Sequence, residues 1–506
     1  MRFVFLIAVA LLFSSSYGQD GELDLLFSDD GVITYNISEA TEQGMAVVVR
    51  EDGKILIAGI QNSASIFLLQ LNSDGTNDAS FGYDGLLFLE DYSMVSNGPG
   101  PQFLNMKLQP DNKILIVGSF IHPNNWGVMG LFRLMPDGAV DNTFGVFGEP
   151  VSIDLGLDPG IEMLARDLVI EPDGKIVVVA NYSAYSAAAT WDRPFIKRYH
   201  VDGTLDITFN GIGYIVGEDS QRATGIALQD DGKILVSNGD TKVYRYYSNG
   251  DIDATFDGDG KVNIYYGTYD QSIIVKPDGK INVGFEYGSY YLHQYNNDGS
   301  LDNDFNDAGE TTAPISTELR CHATALNPDG KIIIAGYVSG WEDGSIPRVV
   351  RINSNGNLDN TFNGIGYADT EFGKFASYFA LAVQLDGKII CIGTSYGWDY
   401  DYALIIARYN GSVEVGINTN NILFENISIS PNPLGGDLSI ILNSIASQEI
   451  AIELVDLAGK IIFSYVTQVV DGNNSIQLNT ENLIAGTYII KIQSSQQQYA
   501  QLLIKK

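Results

Sequence analysis

The chain has 506 residues, 45% of them hydrophobic, with 29 Lys and Arg against 62 Asp and Glu, a formal charge of −33. So acidic a surface repels phosphate backbones and anionic lipid, which argues against nucleic-acid binding and direct adsorption to membranes. Length alone allows several ordinary domains or one large repeat array with a small companion, and internal repeats decide for the array.

Residues 1–18 read as a secretory signal. Arg2 gives the positive start, residues 3–13 an apolar run too short to span a bilayer, and Ser16-Tyr17-Gly18 a small-residue cleavage site. Cleavage after Gly18 leaves Gln19 first and, with Arg2 removed, a charge of −34. No later apolar stretch is long enough for a direct membrane span.

From residue 19 to 410 one phrase returns seven times: Asp-Gly-Lys-Ile and an apolar run. It begins at Asp52, Asp173, Asp231, Asp278, Asp329 and Asp386, with Asp111-Asn112-Lys113-Ile114 as the variant copy, at intervals of 47 to 62 residues. Such a period, typically about 57 residues, marks an array of supersecondary units. Each unit opens with an apolar strand such as Ala46-Val47-Val48-Val49. The Asp-Gly turn follows, in which Gly accepts positive φ, and then a second β-branched strand. The third strand often ends on a basic residue: Arg133, Arg198, Arg245, Arg351 or Arg408. A second Asp-Gly or Asn-Gly turn precedes Leu-Asp-x-x-Phe or a relative, ending at Phe27, Phe81, Phe144, Phe209, Phe256, Phe305 and Phe362. A Gly-rich link leads to the fourth strand.

Four strands in each of seven units predict an all-β fold, a seven-bladed β-propeller. The seventh unit lacks its own Leu-Asp-x-x-Phe, while the chain opens on an orphan copy, Leu23 to Phe27, and a strand at residues 32–35. The N-terminal strand is therefore expected to complete the last blade and close the ring, which removes the free inner edge.

Residues 411–422 form a linker, and 423–506 follow another pattern. Pro431-Asn432-Pro433, the turn Asp456-Leu457-Ala458-Gly459, Gly486-Thr487-Tyr488 and a basic end at Lys505-Lys506 punctuate short alternating strands. These strands predict a small C-terminal β-sandwich.

The repeats resemble the delta-sixty repeat family of secreted bacterial propeller-like proteins over residues 20 to 415, a resemblance that brings no established activity. The tail is similar to the type A C-terminal sorting domain of the type IX secretion system of Bacteroidetes-type bacteria. The sorting-motif residues would be Pro431, Asn432, Pro433, Asp456, Gly459, Gly486, Tyr488, Lys505 and Lys506. This resemblance implies the type IX secretion machinery as partner of residues 423–506, export across the outer membrane, and a secreted or cell-surface location.

Chemistry is sparse. His122, His200, His293 and His322 are scattered, and neither a nucleophile elbow nor a P-loop is present. Cys321 and Cys391 lie at different repeat positions, with Cys391 in the place of a buried Ile or Val. Asp257-Gly258-Asp259-Gly260 is a fragment of a calcium-type loop, but it sits where each repeat makes a turn, so no cofactor is expected, with Ca²⁺ the one open option. No catalytic or metal-binding residue is assigned.

All four tryptophans, Trp126, Trp191, Trp341 and Trp398, fall between second and third strands, and the fifth unit places Tyr287, Tyr290 and Tyr291 there. Those connections vary in length, from Asn238-Gly239-Asp240 to residues 181–192, and they emerge on the face opposite the repeated turns. Aromatics there either stack on sugars or anchor a protein partner, or else pack beneath their own loops. The candidate ligand-binding set is Trp126, Trp191, Tyr287, Trp341 and Trp398. The expected function is non-enzymatic binding or adhesion toward a glycan or surface protein. A carbohydrate-active lyase or glycosidase and a structural surface or matrix component are the alternatives.

Overall fold

The computed structural model describes residues 19–37, 41–62, 65–93, 104–121, 127–145, 151–152, 161–186, 189–217, 222–239, 242–264, 268–286, 289–306, 309–312, 319–340, 344–396, 402–411, 424–430, 437–444, 447–456, 461–481, 483–484, 486–493 and 498–505. The signal segment lies outside these residues. The chain divides at residue 412 into two compact units.

The first unit is a β-propeller. Among the described residues its strands form five separate four-stranded sheets and one eight-stranded sheet. The latter is two four-stranded antiparallel units joined by a single parallel bridge between Ser345 and Phe375. In the first repeat the order is Glu42–Val49, Ile55–Gln61, Ser65–Leu71 and Leu86–Ser93, each strand beside the next. The innermost strands pack in sequence around the ring, and Phe375–Val383 of the last repeat packs back on Glu42–Val49 of the first. Val32–Tyr35 completes that last repeat, paired antiparallel to Tyr402–Tyr409 from Val32 opposite Ala407 to Tyr35 opposite Leu404.

The first turn shows why Asp-Gly-Lys recurs. Gly53 N donates to Arg50 O at 2.9 Å and sits at φ 83°, a left-handed position natural to Gly. Asp52 Oδ1 accepts from Lys54 N at 3.1 Å, so the Asp folds the turn from within. Asn112 takes the same left-handed place in the second repeat, at φ 63°.

The second turn does more. Each Leu-Asp-x-x-Phe phenylalanine is buried, and six of the seven lie against the glycine of the next repeat's second turn. A Cβ on Gly138 would stand 3.0 Å from the Phe81 ring, and one on Gly203 3.0 Å from Phe144. Glycine is thus needed for close approach as well as for φ. Above the phenylalanine lies the third-strand arginine: Arg133 is 4.6 Å from the Phe144 ring centre, Arg245 4.4 Å from Phe256 and Arg408 4.6 Å from Phe27. The same guanidinium binds the motif Asp, as in Arg245 Nε to Asp253 Oδ2 at 2.8 Å. It then reaches the next repeat's second turn: Arg133 to Val201 O, Arg198 to Ser248 O, Arg245 to Asn297 O and Arg408 to Ser73 O. The lysine of the first turn joins the cluster, as Lys54 Nζ to Asp78 Oδ2 at 2.8 Å.

Two repeats have glutamine where the arginine should be, Gln70 and Gln294. There the residue that opens the first turn is basic instead. Arg50 donates to Gln70 Oε1 at 2.8 Å and reaches Pro136 O at 2.9 Å; Lys276 reaches Ser354 O at 3.4 Å. The cation has changed strand but not destination. Where the arginine is present, the turn-opening residue is Gln109, Glu171, Gln229, Asn327 or Gln384.

The second unit is a β-sandwich. Phe424–Ser430, Leu438–Ser444 and Gly472–Leu478 form one sheet. Ile461–Val469, Gln448–Asp456, Gly486–Gln493 and Gln498–Lys505 form the other, in that spatial order. Alternate residues Leu438, Ile440 and Leu442 meet Ile450, Ile452, Leu454, Ile490 and Ile492 in one core.

Two expectations follow. Burial opposes the charged form of the motif carboxylates, but hydrogen bonds from Thr208 and Thr255 and the nearby arginines override it, holding Asp206 and Asp253 at about 2. Asp24, Asp78, Asp141 and Asp359 are lowered in the same way. Since the unfolded value is near 4, this stabilisation is complete above pH ~4 and fades as pH falls toward ~2. Thermal midpoints between pH 5 and 2 should therefore drop steeply only below about 4. Second, Arg50→Gln should destabilise the propeller by about 2–3 kcal/mol, as loss of charge-assisted hydrogen bonds does. Adding Gln70→Arg should recover most of that loss in denaturant unfolding; no recovery would mean the two positions are not interchangeable.

Candidate functional site

The sorting-motif residues that lie among the described ones gather at one end of the four-stranded sheet. Asp456 closes its strand directly opposite Tyr488, and Gly486 stands opposite Lys505. Tyr488 is only 8% exposed and belongs to the sandwich core, while its hydroxyl donates to Ile484 O at 2.8 Å. The Gly-Thr-Tyr sequence thus packs a ring and satisfies its polar tip in one stroke. Pro431, Asn432, Pro433, Gly459 and Lys506 lie outside the described residues.

In the propeller, Trp126, Tyr287, Trp341 and Trp398 likewise lie outside the described residues. Trp191 belongs to the strand Ala189–Tyr199, its backbone opposite Ala184. The stretch 181–192, expected as a long connection, is a continuation of the hairpin, paired from Asn181 opposite Pro194 to Ser186 opposite Ala189. Its Tyr, Thr and Trp residues favour extended backbone, which outweighs the lack of an aliphatic run. Tyr290 is also strand rather than connection: it is buried beside Leu292 and Phe305, and Tyr291 stacks on Phe285 at 5.5 Å.

The titratable groups are mostly absorbed by structure. His293 Nδ1 lies 3.2 Å from Tyr295 Oη, and the His322 ring lies 5.1 Å from Phe379 and 5.6 Å from Tyr337. His200 sits 3.7 Å from Asp206. Cys321 and Cys391 are both buried, Cys391 in the core as its repeat position implied. Asp257, in the calcium-like fragment, has its carboxyl raised by burial and by Asp259 and Asp298. Among the described residues no group of three or more His, Cys, Asp or Glu is arranged to hold a metal ion.

One carboxylate stands apart. A bulge in the innermost strand Ile161–Ile170 falls between Ala165 and Asp167. Asp167 Oδ1 accepts from Asn105 Nδ2 of the neighbouring repeat at 2.8 Å and from Leu168 N at 2.8 Å. Burial raises its carboxyl, against the pull of Lys107. In the sequence Arg166-Asp167 is only a charged pair within an apolar strand, and without the bulge nothing tells which way its carboxylate faces. A polar cavity of about 500 Å³ lies on the turn side between the first two repeats, lined by Arg50, Glu51, Lys54, Asp111, Asn112 and Asp137. Arg50 is already engaged there by three hydrogen bonds.

Residues 428–506 match the secretion system C-terminal sorting domain family. Four stretches, 50–81, 109–144, 171–209 and 327–362, match the beta-propeller family described as a domain of unknown function, DUF5122. The protein is therefore a repeat β-propeller carrying a type IX sorting tail, exported to the cell surface or the extracellular space. No curated protein matches the chain.

Among solved structures, a protein of unknown function from Dyadobacter fermentans aligns at 10% identity and TM-score 0.39, over 75% of this chain and 99% of its own. PorZ, a surface component of the type IX secretion system of Porphyromonas gingivalis, aligns at 8% identity and TM-score 0.25, over 92% and 81%. The α-L-arabinofuranosidase Arb93A of Fusarium graminearum aligns at 10% identity and TM-score 0.39, over 77% and 96%. Likenesses of this size carry no functional detail.

Tyr488 offers a direct test of the motif's physical role. Tyr488→Phe should cost about 0.5–1.5 kcal/mol, one hydrogen bond's worth. Tyr488→Ala should cost about 3–5 kcal/mol, as for other buried aromatics. Export measured by cell fractionation should follow that order, with the Ala variant retained inside the outer membrane.

Proposed function

We propose that the propeller is a non-enzymatic binding or adhesion module, shown at the cell surface or released, that recognises a glycan or a surface protein. One observation carries this reading: the recurrent ionic groups are engaged in building the ring. The motif Asp of every repeat bonds to its own turn, to the first-turn lysine or to a junction arginine or glutamine. What varies from repeat to repeat is the stretch of sequence that leads from the second strand into the third, hairpin extension included, and the candidate aromatic residues fall in it. Recognition on a rigid scaffold draws on such variable segments. Trp126, Trp191, Tyr287, Trp341 and Trp398 remain the proposed contacts.

A second reading, a carbohydrate-active enzyme, draws on Asp167, a carboxyl with raised proton affinity on an innermost strand. General acids in glycoside cleavage have that property, though they need a second carboxylate at a defined gap.

A glycan array combined with a hydrolysis screen of the purified propeller separates the two. Binding without turnover, unchanged in Asp167→Asn, is the expected result. Turnover of a polysaccharide that the same substitution abolishes in a folded protein would replace binding by catalysis.

A further inference from the structure

In the last repeat the second turn is made from two separate stretches of chain. In the sixth repeat Asn353 N donates to Asn357 O at 2.8 Å, Gly356 N to Asn353 O at 2.9 Å and Asp359 N to Arg351 O at 2.9 Å. In the seventh the same three bonds run from Asn410 N to Glu22 O, Gly21 N to Asn410 O and Asp24 N to Arg408 O, each at 2.8 Å. Asp20-Gly21-Glu22-Leu23-Asp24 is thus the second half of a turn whose first half ends at Asn410. The place that Ser354 fills elsewhere is flanked here by Gln19 on one segment and Gly411 on the other. Gly411 has no room for a side chain: a Cβ would stand 1.9 Å from Gly387 O.

The junction chemistry changes at this break. At the other junctions the cation ends on a main-chain carbonyl, as described above. Here Arg351 Nη2 instead reaches the Asp20 carboxylate, at 2.8 Å. Asp24 gathers Lys388 Nζ at 2.8 Å and Arg408 Nε at 2.7 Å. Main-chain bonds from Asn363 N to Asp20 O and from Ser28 N to Asp74 O tie the segment to the sixth and first repeats. Phe27 fills the buried pocket beneath Arg408.

We propose that residues 19–35 are an ionically latched strap, which opens as one piece while the rest of the ring stays folded. Every other repeat's fourth strand is joined covalently to its own third strand through the second turn and link. The strap lacks that tether. Once released it recovers the conformational freedom of its whole length, a gain no other fourth strand has without wider unfolding. The carboxylates of Asp20 and Asp24 replace the missing covalent tie with charge-assisted contacts.

Hydrogen exchange of the full chain tests this. Backbone amides of residues 23–35 should exchange at least about tenfold faster than those of Tyr214–Val216, Lys261–Asn263 and Tyr367–Asp369. Asp20→Asn, which keeps an acceptor oxygen but removes its charge, should speed the strap by a further factor of about five to ten, the size of one net hydrogen bond, and leave the other fourth strands unchanged. Gly411→Ala, which crowds the break from the other segment, should have the same local effect. Equal protection of the strap and the other fourth strands in the unaltered protein would overturn the proposal. So would acceleration spread evenly around the ring in either variant.

Discussion

The propeller depends on one repeated contact, a cation laid across a phenylalanine and hydrogen-bonded into the next repeat's turn. The contact joins three demands that would otherwise compete. The phenylalanine removes apolar surface from water, the motif Asp neutralises the guanidinium, and the cation occupies a carbonyl that the turn leaves without a partner. A buried ion pair alone is weak evidence of stability, because desolvation offsets most of the attraction. Here the guanidinium edge, its face and the neighbouring carbonyl are all used, so its desolvation is offset on each side. The contact also fixes neighbours: each repeat supplies phenylalanine and cation on one side and a glycine turn on the other.

That requirement explains the two repeats that break the pattern. Replacing arginine by glutamine at positions 70 and 294 without compensation would leave Pro136 O and Ser354 O unpaired. Arg50 and Lys276 fill the gap from the end of the first strand. The paired change argues that position in space, not position in the repeat, is what the fold demands. The Asp20 contact of Arg351 belongs to the same logic. Where the chain is broken the carbonyl geometry is no longer held by an intact turn, and a side-chain carboxylate takes the cation.

Much of this was legible in the sequence. Asp-Gly-Lys and Leu-Asp-x-x-Phe are local signals with local causes, an Asx-stabilised turn and an apolar plug, so their meaning survives without coordinates. The orphan Leu23-Asp24-Leu25-Leu26-Phe27 likewise pointed to the strand that Val32–Tyr35 supplies to the last repeat. The cation exchange was not legible, since it appears only when Arg50 and Gln70, twenty residues apart, are seen to share a site. Nor was the hairpin through Trp191, where small and aromatic residues of alternating polarity resemble a loop. Asp167 was hidden for a third reason: a bulge shifts one residue across the strand without changing composition. Of the five candidate aromatic residues, only Trp191 lies among the described ones, on a hairpin strand and not in a connection.

The same economy bears on function. A protein with so strong a negative charge has few cations to spend, and the propeller places many of them in its repeated turns and junctions. The seven first-turn lysines pair with the motif Asp of their own repeats, while the five third-strand arginines, Arg50 and Lys276 reach across to the next repeat. The turn-bearing face therefore repeats much the same turns and ion-paired carboxylates from one repeat to the next, which leaves it little with which to tell one ligand from another. Discrimination requires differences between repeats, and the differences that the fold tolerates lie in the second-to-third connections and on the bulged inner strands. Any ligand must also approach through a negative field. Contacts by aromatic faces, which neutral sugars and apolar side chains satisfy, fit that constraint better than salt bridges to an acidic partner.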